Sequence, residues 1–255
     1  MITLKIGSQL YDDIGLVALD KDGTLIDFDR MWSGVIHSWI QNVVRAARVA
    51  PAVRISLERS LGYDSGRRAV VPDSPLAVAS LAKLRTIAMT VLYQSGVPWH
   101  TAEEIVAAQT SQVAISPADI HPLGNVAEKL RDLHQAGLHL MLITTDNRQT
   151  TEMILHHMGI AELFVALVCG DDPIPNKPAP DGILGVARGL GLVPSQVVMV
   201  GDTVNDMNCG RNTAVRACIG VTGGGGNALA LQNTADVLIE TIDEIEWMST
   251  PSSYS

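Results

Sequence analysis

Asp20 and Asp22 are separated by one residue and follow an apolar run over residues 14–19, Ile-Gly-Leu-Val-Ala-Leu, short enough to be one buried strand. Two carboxylates therefore leave a strand end with their side chains starting on the same side, and Lys21 between them is expected to point away. Gly23 and Thr24 are turn formers, which puts the pair where a sheet gives way to a loop. At about 4 Å and an effective dielectric of about 20, such a pair repels by about 4 kcal/mol. A divalent cation bound by oxygen relieves that cost most simply. Further along, Asp202 and Asp206 lie in Gly-Asp-Thr-Val-Asn-Asp, Thr144 and Thr145 close an apolar run, and Lys177 sits in Asn-Lys-Pro-Ala-Pro-Asp. Several acids for a hard metal, a hydroxyl and one ammonium for an anion make an inventory for phosphoryl transfer, with a carboxylate left to attack.

The elements needed to bring these groups together are legible from residue 120 onward. The pattern predicts helices over 125–136 and 148–158, each closed by a glycine, and a third from Asp181 to about residue 190. Apolar runs at 138–144, 164–169, 197–200, 217–221 and 237–239 read as strands. Such runs alternating with helices predict an α/β fold, a Rossmann-like parallel sheet covered on both faces. Ligands of such sheets sit beyond the carboxyl ends of the strands, where the polar residues cluster. Segment 29–118 differs: helix-like stretches at 32–49, 77–95 and 101–115, breakers at Pro51, Gly62, Gly66, Pro72 and Pro75, and no convincing strand. It reads as an all-helical domain inserted after the first strand, dividing the chain into 1–28, 29–118 and 119–255. Its nine Lys/Arg against six Asp/Glu give it +3, leaving −12 for the rest of a chain whose total is −9. A basic insert beside an acidic body suits a face turned to an anion, or an Arg-rich helical surface with no such role.

At 255 residues and 47% apolar, the chain can bury a full core. Its acidity gives no support for nucleic acid as a partner. There is no basic start followed by an apolar segment, and no apolar run approaches the ~18 residues of a membrane span; a cytoplasmic protein with no membrane partner, monomeric or homodimeric, is expected. Cys169, Cys209 and Cys218 are odd in number and lack metal-ligand spacing, as reduced thiols would. The four glycines at 223–226 lack a following lysine and read as a flexible turn rather than a phosphate cradle.

Asp-x-Asp-Gly-Thr-Leu, a threonine after an apolar strand, Lys-Pro-x-Pro-Asp and Gly-Asp-Thr-x-x-Asp, in this order, resemble the four motifs of the haloacid dehalogenase superfamily. The insert is similar to the C1 cap of its phosphoglycolate-phosphatase-like members. The resemblance implies a phosphatase acting on a small-molecule phosphate ester, with Asp20 as nucleophile and Asp22 as the group that protonates the leaving oxygen and then activates water. Thr144 and Lys177 would hold phosphoryl oxygens, Thr144 rather than Thr145 because the following helix then keeps the family's spacing. Mg²⁺ would bind Asp20, the main-chain carbonyl of Asp22, and Asp202, with Asp206 as a further ligand or a support. Lys21 departs from the apolar or aromatic residue usual in this subgroup, and is expected to have little effect on the chemistry.

Within the same resemblance, Asp22 argues against a 2-haloacid dehalogenase, which lacks the second acid, and a phosphonatase would use a cap lysine for which only Lys83 is available. A phosphomutase of the β-phosphoglucomutase type and a non-catalytic phosphate-binding protein on the same scaffold are the alternatives. Candidate substrate contacts in the insert are Trp32, Arg67 and Arg68, although Trp32 and Trp39, seven residues apart, equally suit a helical core.

Overall fold

The structure is a computed structural model that describes residues 2–113, 115–224 and 226–249. It divides into two compact units, Met1–Asp27 with Pro122–Ser255, and Phe28–His121. The first unit begins with β1 (Ile2–Ile6), β2 (Gln9–Ile14) and β3 (Leu16–Leu19). The apolar run at 14–19 is thus two elements broken at Gly15: Ile14 ends a hairpin strand, and only Leu16–Leu19 enters the main sheet. All four of those residues are fully buried.

The inserted unit carries α1 (Phe28–Ala47), α2 (Ala52–Leu61), β4 (Tyr63–Asp64), β5 (Ala69–Val70), α3 (Pro75–Val78), α4 (Leu81–Gln94) and α5 (Trp99–Ser111). It has its own core, in which Ile40, Val43, Leu57, Leu61, Leu92 and Val106 meet, with Trp39 inside and Trp32 packed against it. Two departures from the sequence reading have local causes. Pro51 does break the helical run, between α1 and α2. It also opens α2, a helix the pattern does not predict, because a fixed φ and a missing N–H cost nothing at a helix N-terminus. The insert is also not all-helical: β4 and β5 pair through Tyr63↔Val70 and Asp64↔Ala69. Asp64 closes their turn by accepting from the amides of Gly66 and Arg67 at 2.9 and 3.0 Å. Strands of two residues are too short to show alternation.

After the insert come α6 (Val126–Gln135), β6 (His139–Ile143), α7 (Arg148–His157), β7 (Phe164–Val168), α8 (Asp181–Gly189), β8 (Val197–Gly201), α9 (Val204–Thr213), β9 (Ala217–Val221), α10 (Ala228–Gln232), β10 (Val237–Ile239) and β11 (Ile245–Ser249). Six strands form one parallel sheet in the order β10-β9-β8-β3-β6-β7. Near-continuous apolar strands with helical crossovers dictate this, since both faces must be covered. β3 lies at the centre, its Leu19 level with Leu142 of β6 and Val200 of β8. The chain builds outward from β3 on one side through β6 and β7, then crosses to β8, β9 and β10. The order reverses between β3 and β8, where α/β sheets open a crevice for ligands. Separately, β1 pairs with β2 and β11 in an antiparallel sheet that the sequence reading did not find. The three cysteines are free and buried. Among the described residues, no helix is long and apolar enough to cross a membrane.

Candidate active site

The register of β3 and β8 places Asp20 and Asp202 one and two residues beyond the paired Leu19 and Val200. The Asp20 amide donates to the Val200 carbonyl at 2.9 Å, so the first acid is tied to the neighbouring strand end. Asp206 arrives from the first turn of α9, where it forms a capping box with Thr203: its Oδ2 accepts from the Thr203 amide and hydroxyl at 3.0 and 2.6 Å. Carboxylate oxygens of Asp20, Asp202 and Asp206 all lie within 4.8 Å of one another, and all three residues are buried.

Lys177 enters this cluster from the loop before α8. Its Nζ donates to Asp20 Oδ1 and Asp206 Oδ1, both at 2.5 Å. The loop is pinned to α9, with Asn205 and Asn212 donating to the carbonyls of Lys177 and Pro178. Both oxygens of Asp206 therefore have donors, whereas Asp202 Oδ1 is buried with none among the described residues. A buried oxygen without a donor beside two further carboxylates is the arrangement that a hard cation such as Mg²⁺ completes. The structure thus fits Asp20 and Asp202 as direct ligands and Asp206 as the group that holds Lys177.

Backbone fills the space around Asp202. Gly23 has φ +79°, and a Cβ there would fall 2.0 Å from Asp202 Oδ2. Of the glycine run at 223–226, Gly225 lies outside the described residues; Gly224 and Gly226 lie close against other backbone. A Cβ on Gly224 would meet the Gly23 carbonyl oxygen at 1.7 Å, and one on Gly226 the Asp202 carbonyl oxygen at 2.0 Å. The signal for this was present in the sequence, since a glycine run after a strand marks close backbone approach as readily as flexibility.

Thr144 is buried after β6, and its hydroxyl oxygen accepts from the Asp146 amide at 3.1 Å. Lys21 departs most from expectation. Its ammonium does not turn away from the acids but lies 2.6 Å from Asp22 Oδ2 and 3.1 Å from Asp146 Oδ2, fully buried. Alternation fixes where a side chain starts, and a four-carbon stem leaving a strand end can curl back to a carboxylate. Asp146 was missed because nothing in its local sequence marks it. Trp32, Arg67 and Arg68 belong to the inserted unit. There Trp32 packs on the helical core, Arg67 lies 3.8 Å from Asp64, and the exposed Arg68 accepts at its carbonyl from the Ser33 hydroxyl.

The model of the haloacid dehalogenase-like hydrolase family matches residues 14–212. The chain belongs to that family. Among proteins similar to this hydrolase, the phosphoglycolate phosphatase of Agrobacterium fabrum is 28% identical over 225 residues, 88% of each chain. That of Escherichia coli O157:H7 is 32% identical over 259 aligned positions, 92% of each. A crystal structure described as a predicted phosphoglycolate phosphatase from Haemophilus somnus 129PT superposes with a TM-score of 0.66, covering 90% of this chain and 95% of the other at 19% identity. That similarity is one of fold.

Charge in this hydrolase's acidic cluster is out of balance. Burial raises the Asp20 carboxyl to about 7, opposed by Lys177 and reinforced by Asp206. Asp202 is raised well above the ordinary range by burial, then by the charges of Asp20 and Asp206. For Lys177 burial favours the neutral amine, but Asp20 and Asp206 outweigh it and raise its pKa. A carboxyl with a raised folded-state pKa costs nothing below its unfolded value and progressively more as pH climbs toward the folded one. In chelator, Asp202→Asn is therefore expected to unfold at a higher temperature than the wild type at about pH 8, the gain shrinking to nothing at about pH 4. Thermal unfolding across that range checks this; a gain independent of pH would mean that the Asp202 charge is not its source.

Proposed function

We propose that this hydrolase is a Mg²⁺-dependent phosphatase that cleaves a small phosphate monoester through an aspartyl-phosphate on Asp20. The observation that carries the reading is Lys177, bridging Asp20 and Asp206 beside the Asp202 oxygen that has no donor among the described residues. Membership of a hydrolase family and the similarity to phosphoglycolate phosphatases support the same class, a phosphoric monoester hydrolase. Asp20, the Asp22 carbonyl and Asp202 would hold Mg²⁺, which when bound offsets the negative charge of phosphoryl and carboxylate oxygens.

The chain's own groups divide the remaining work. Asp20 attacks phosphorus; the bond to the leaving oxygen breaks, and Asp22 delivers its proton to that oxygen. Asp22, now a carboxylate, takes a proton from water as the water oxygen attacks phosphorus, and the bond to Asp20 breaks to release phosphate. Lys177 holds Asp20 in place and neutralises charge there. Thr144 accepts the Asp146 amide on its oxygen, leaving its hydroxyl hydrogen for a phosphoryl oxygen. The relatives' name makes 2-phosphoglycolate the first substrate to try.

Phosphate release from 2-phosphoglycolate, p-nitrophenyl phosphate and a panel of sugar and nucleoside monophosphates tests the reading. The expected result is release that requires Mg²⁺ and stops with chelator. No release from any ester would overturn it, and a sugar phosphate converted to its isomer without release would make the protein a phosphomutase. Gly23→Ala is expected to raise the Mg²⁺ concentration for half-maximal activity by about tenfold or more, because its methyl would displace Asp202. A Mg²⁺ titration of activity measures this shift.

A further inference from the structure

We propose that Lys21 and Asp146 form a buried strut that holds the Asp22 carboxylate where it transfers protons, making both positioning residues for the second acid. This rests on the phosphatase reading. Lys21 is fully buried, and its ammonium lies between Asp22 at 2.6 Å and Asp146 at 3.1 Å. An ammonium taken out of water and shared by two carboxylates adds little net stability compared with an apolar side chain of the same length. What it supplies is direction: it fixes where a carboxylate points.

The far end of the strut is rigid. Asp146 Oδ1 accepts from the Asn147 amide and side-chain nitrogen at 2.7 and 3.0 Å, and its carbonyl accepts from Gly170 at 2.7 Å. Its own amide donates to Thr144 Oγ1. One residue thus ties the hydroxyl proposed to hold phosphate to the ammonium that holds the proton carrier. The two acids that follow β3 then have separate lysines. Lys177 holds Asp20 with Asp206, and Lys21 holds Asp22 with Asp146, which keeps Asp22 from turning into the acidic cluster as a fourth carboxylate.

The leaving group separates this role from a merely structural one. An alkoxide needs the Asp22 proton as it departs; p-nitrophenolate does not. The experiment compares wild type, Asp146→Asn and the double variant Lys21→Met/Asp146→Asn, which leaves no unpaired buried ammonium. Single-turnover release of the leaving group, from p-nitrophenyl phosphate and from an alkyl phosphate the wild type hydrolyses, reads the first step alone. In the double variant the alkyl rate is expected to fall about 100-fold and the p-nitrophenyl rate by no more than about threefold. Asp146→Asn is expected to show the same selectivity at about tenfold, and decides the matter if the double variant does not fold. Equal losses on both esters, or no loss on either, would overturn the strut while leaving the phosphatase reading intact. A wild type inactive on every ester would overturn both.

Discussion

Asp20→Asn is expected to abolish phosphate release, by about 10⁴-fold or more, and to abolish covalent labelling of the protein by phosphate. The substitution is nearly isosteric. An asparagine there still offers an oxygen to Lys177, which donates to Asp20 Oδ1 at 2.5 Å, and leaves the Asp20 amide on the Val200 carbonyl. What disappears is a carboxylate that can form a bond to phosphorus. Removing one buried acid also relieves repulsion with Asp202 and Asp206, so the variant should be no less stable than the wild type in chelator at neutral pH. Activity and stability are thereby expected to move in opposite directions, which distinguishes loss of a nucleophile from loss of fold. Labelled phosphate retained in acid-precipitated protein, alongside thermal unfolding, checks both halves. Turnover surviving in Asp20→Asn would remove the residue from the reaction.

The sequence could carry this much because strand ends in a parallel sheet are predictable from apolar runs. Once the runs before Asp20, Thr144 and Asp202 are parallel strands, their ends must lie along one edge, and register does the rest. Lys177 was readable for a similar reason, since prolines on both sides hold a lone lysine near that edge. The parts that escaped depend on contacts with no local period. The β1–β2 hairpin and β11 pair residues at opposite ends of the chain, Ile2 with Ser249 for one, and only the folded chain brings them together. Asp146 is an unremarkable loop acid until Lys21 is found beside it. Lys21 misled because alternation describes Cβ vectors, and a lysine's charge sits well beyond its Cβ. Gly224 and Gly226 matter through the backbone atoms they approach; the glycine run signals a close approach, but only the fold supplies the partners, Gly23 and Asp202.

Lys177→Met is expected to damage both reaction and fold, and Mg²⁺ should restore only the second. Lys177 is the ammonium between Asp20 and Asp206, and all three side chains are nearly inaccessible. Methionine fills the same space, so the change removes charge and leaves packing. Two buried carboxylates are then left facing Asp202 without a counter-charge, a class of change that costs about 3–5 kcal/mol. The ammonium's pKa is raised on folding, so its stabilisation is present below the unfolded value and is lost only in strong alkali. For the carboxylates the sign is opposite, and acid relieves them. The deficit from Lys177→Met should therefore be largest near neutrality and shrink as pH falls and Asp20 takes up its proton. Saturating Mg²⁺ supplies positive charge to the same carboxylates, and unfolding in urea with and without it should show most of the deficit recovered. Turnover should not recover: without the ammonium, nothing holds Asp20 in line or offsets charge on its attacked side, and a loss of about 10³-fold is expected even with metal saturated. A variant that regained activity together with stability would reduce Lys177 to a structural counter-ion, and the phosphoryl-holding role would have to pass to Thr144 and the metal alone.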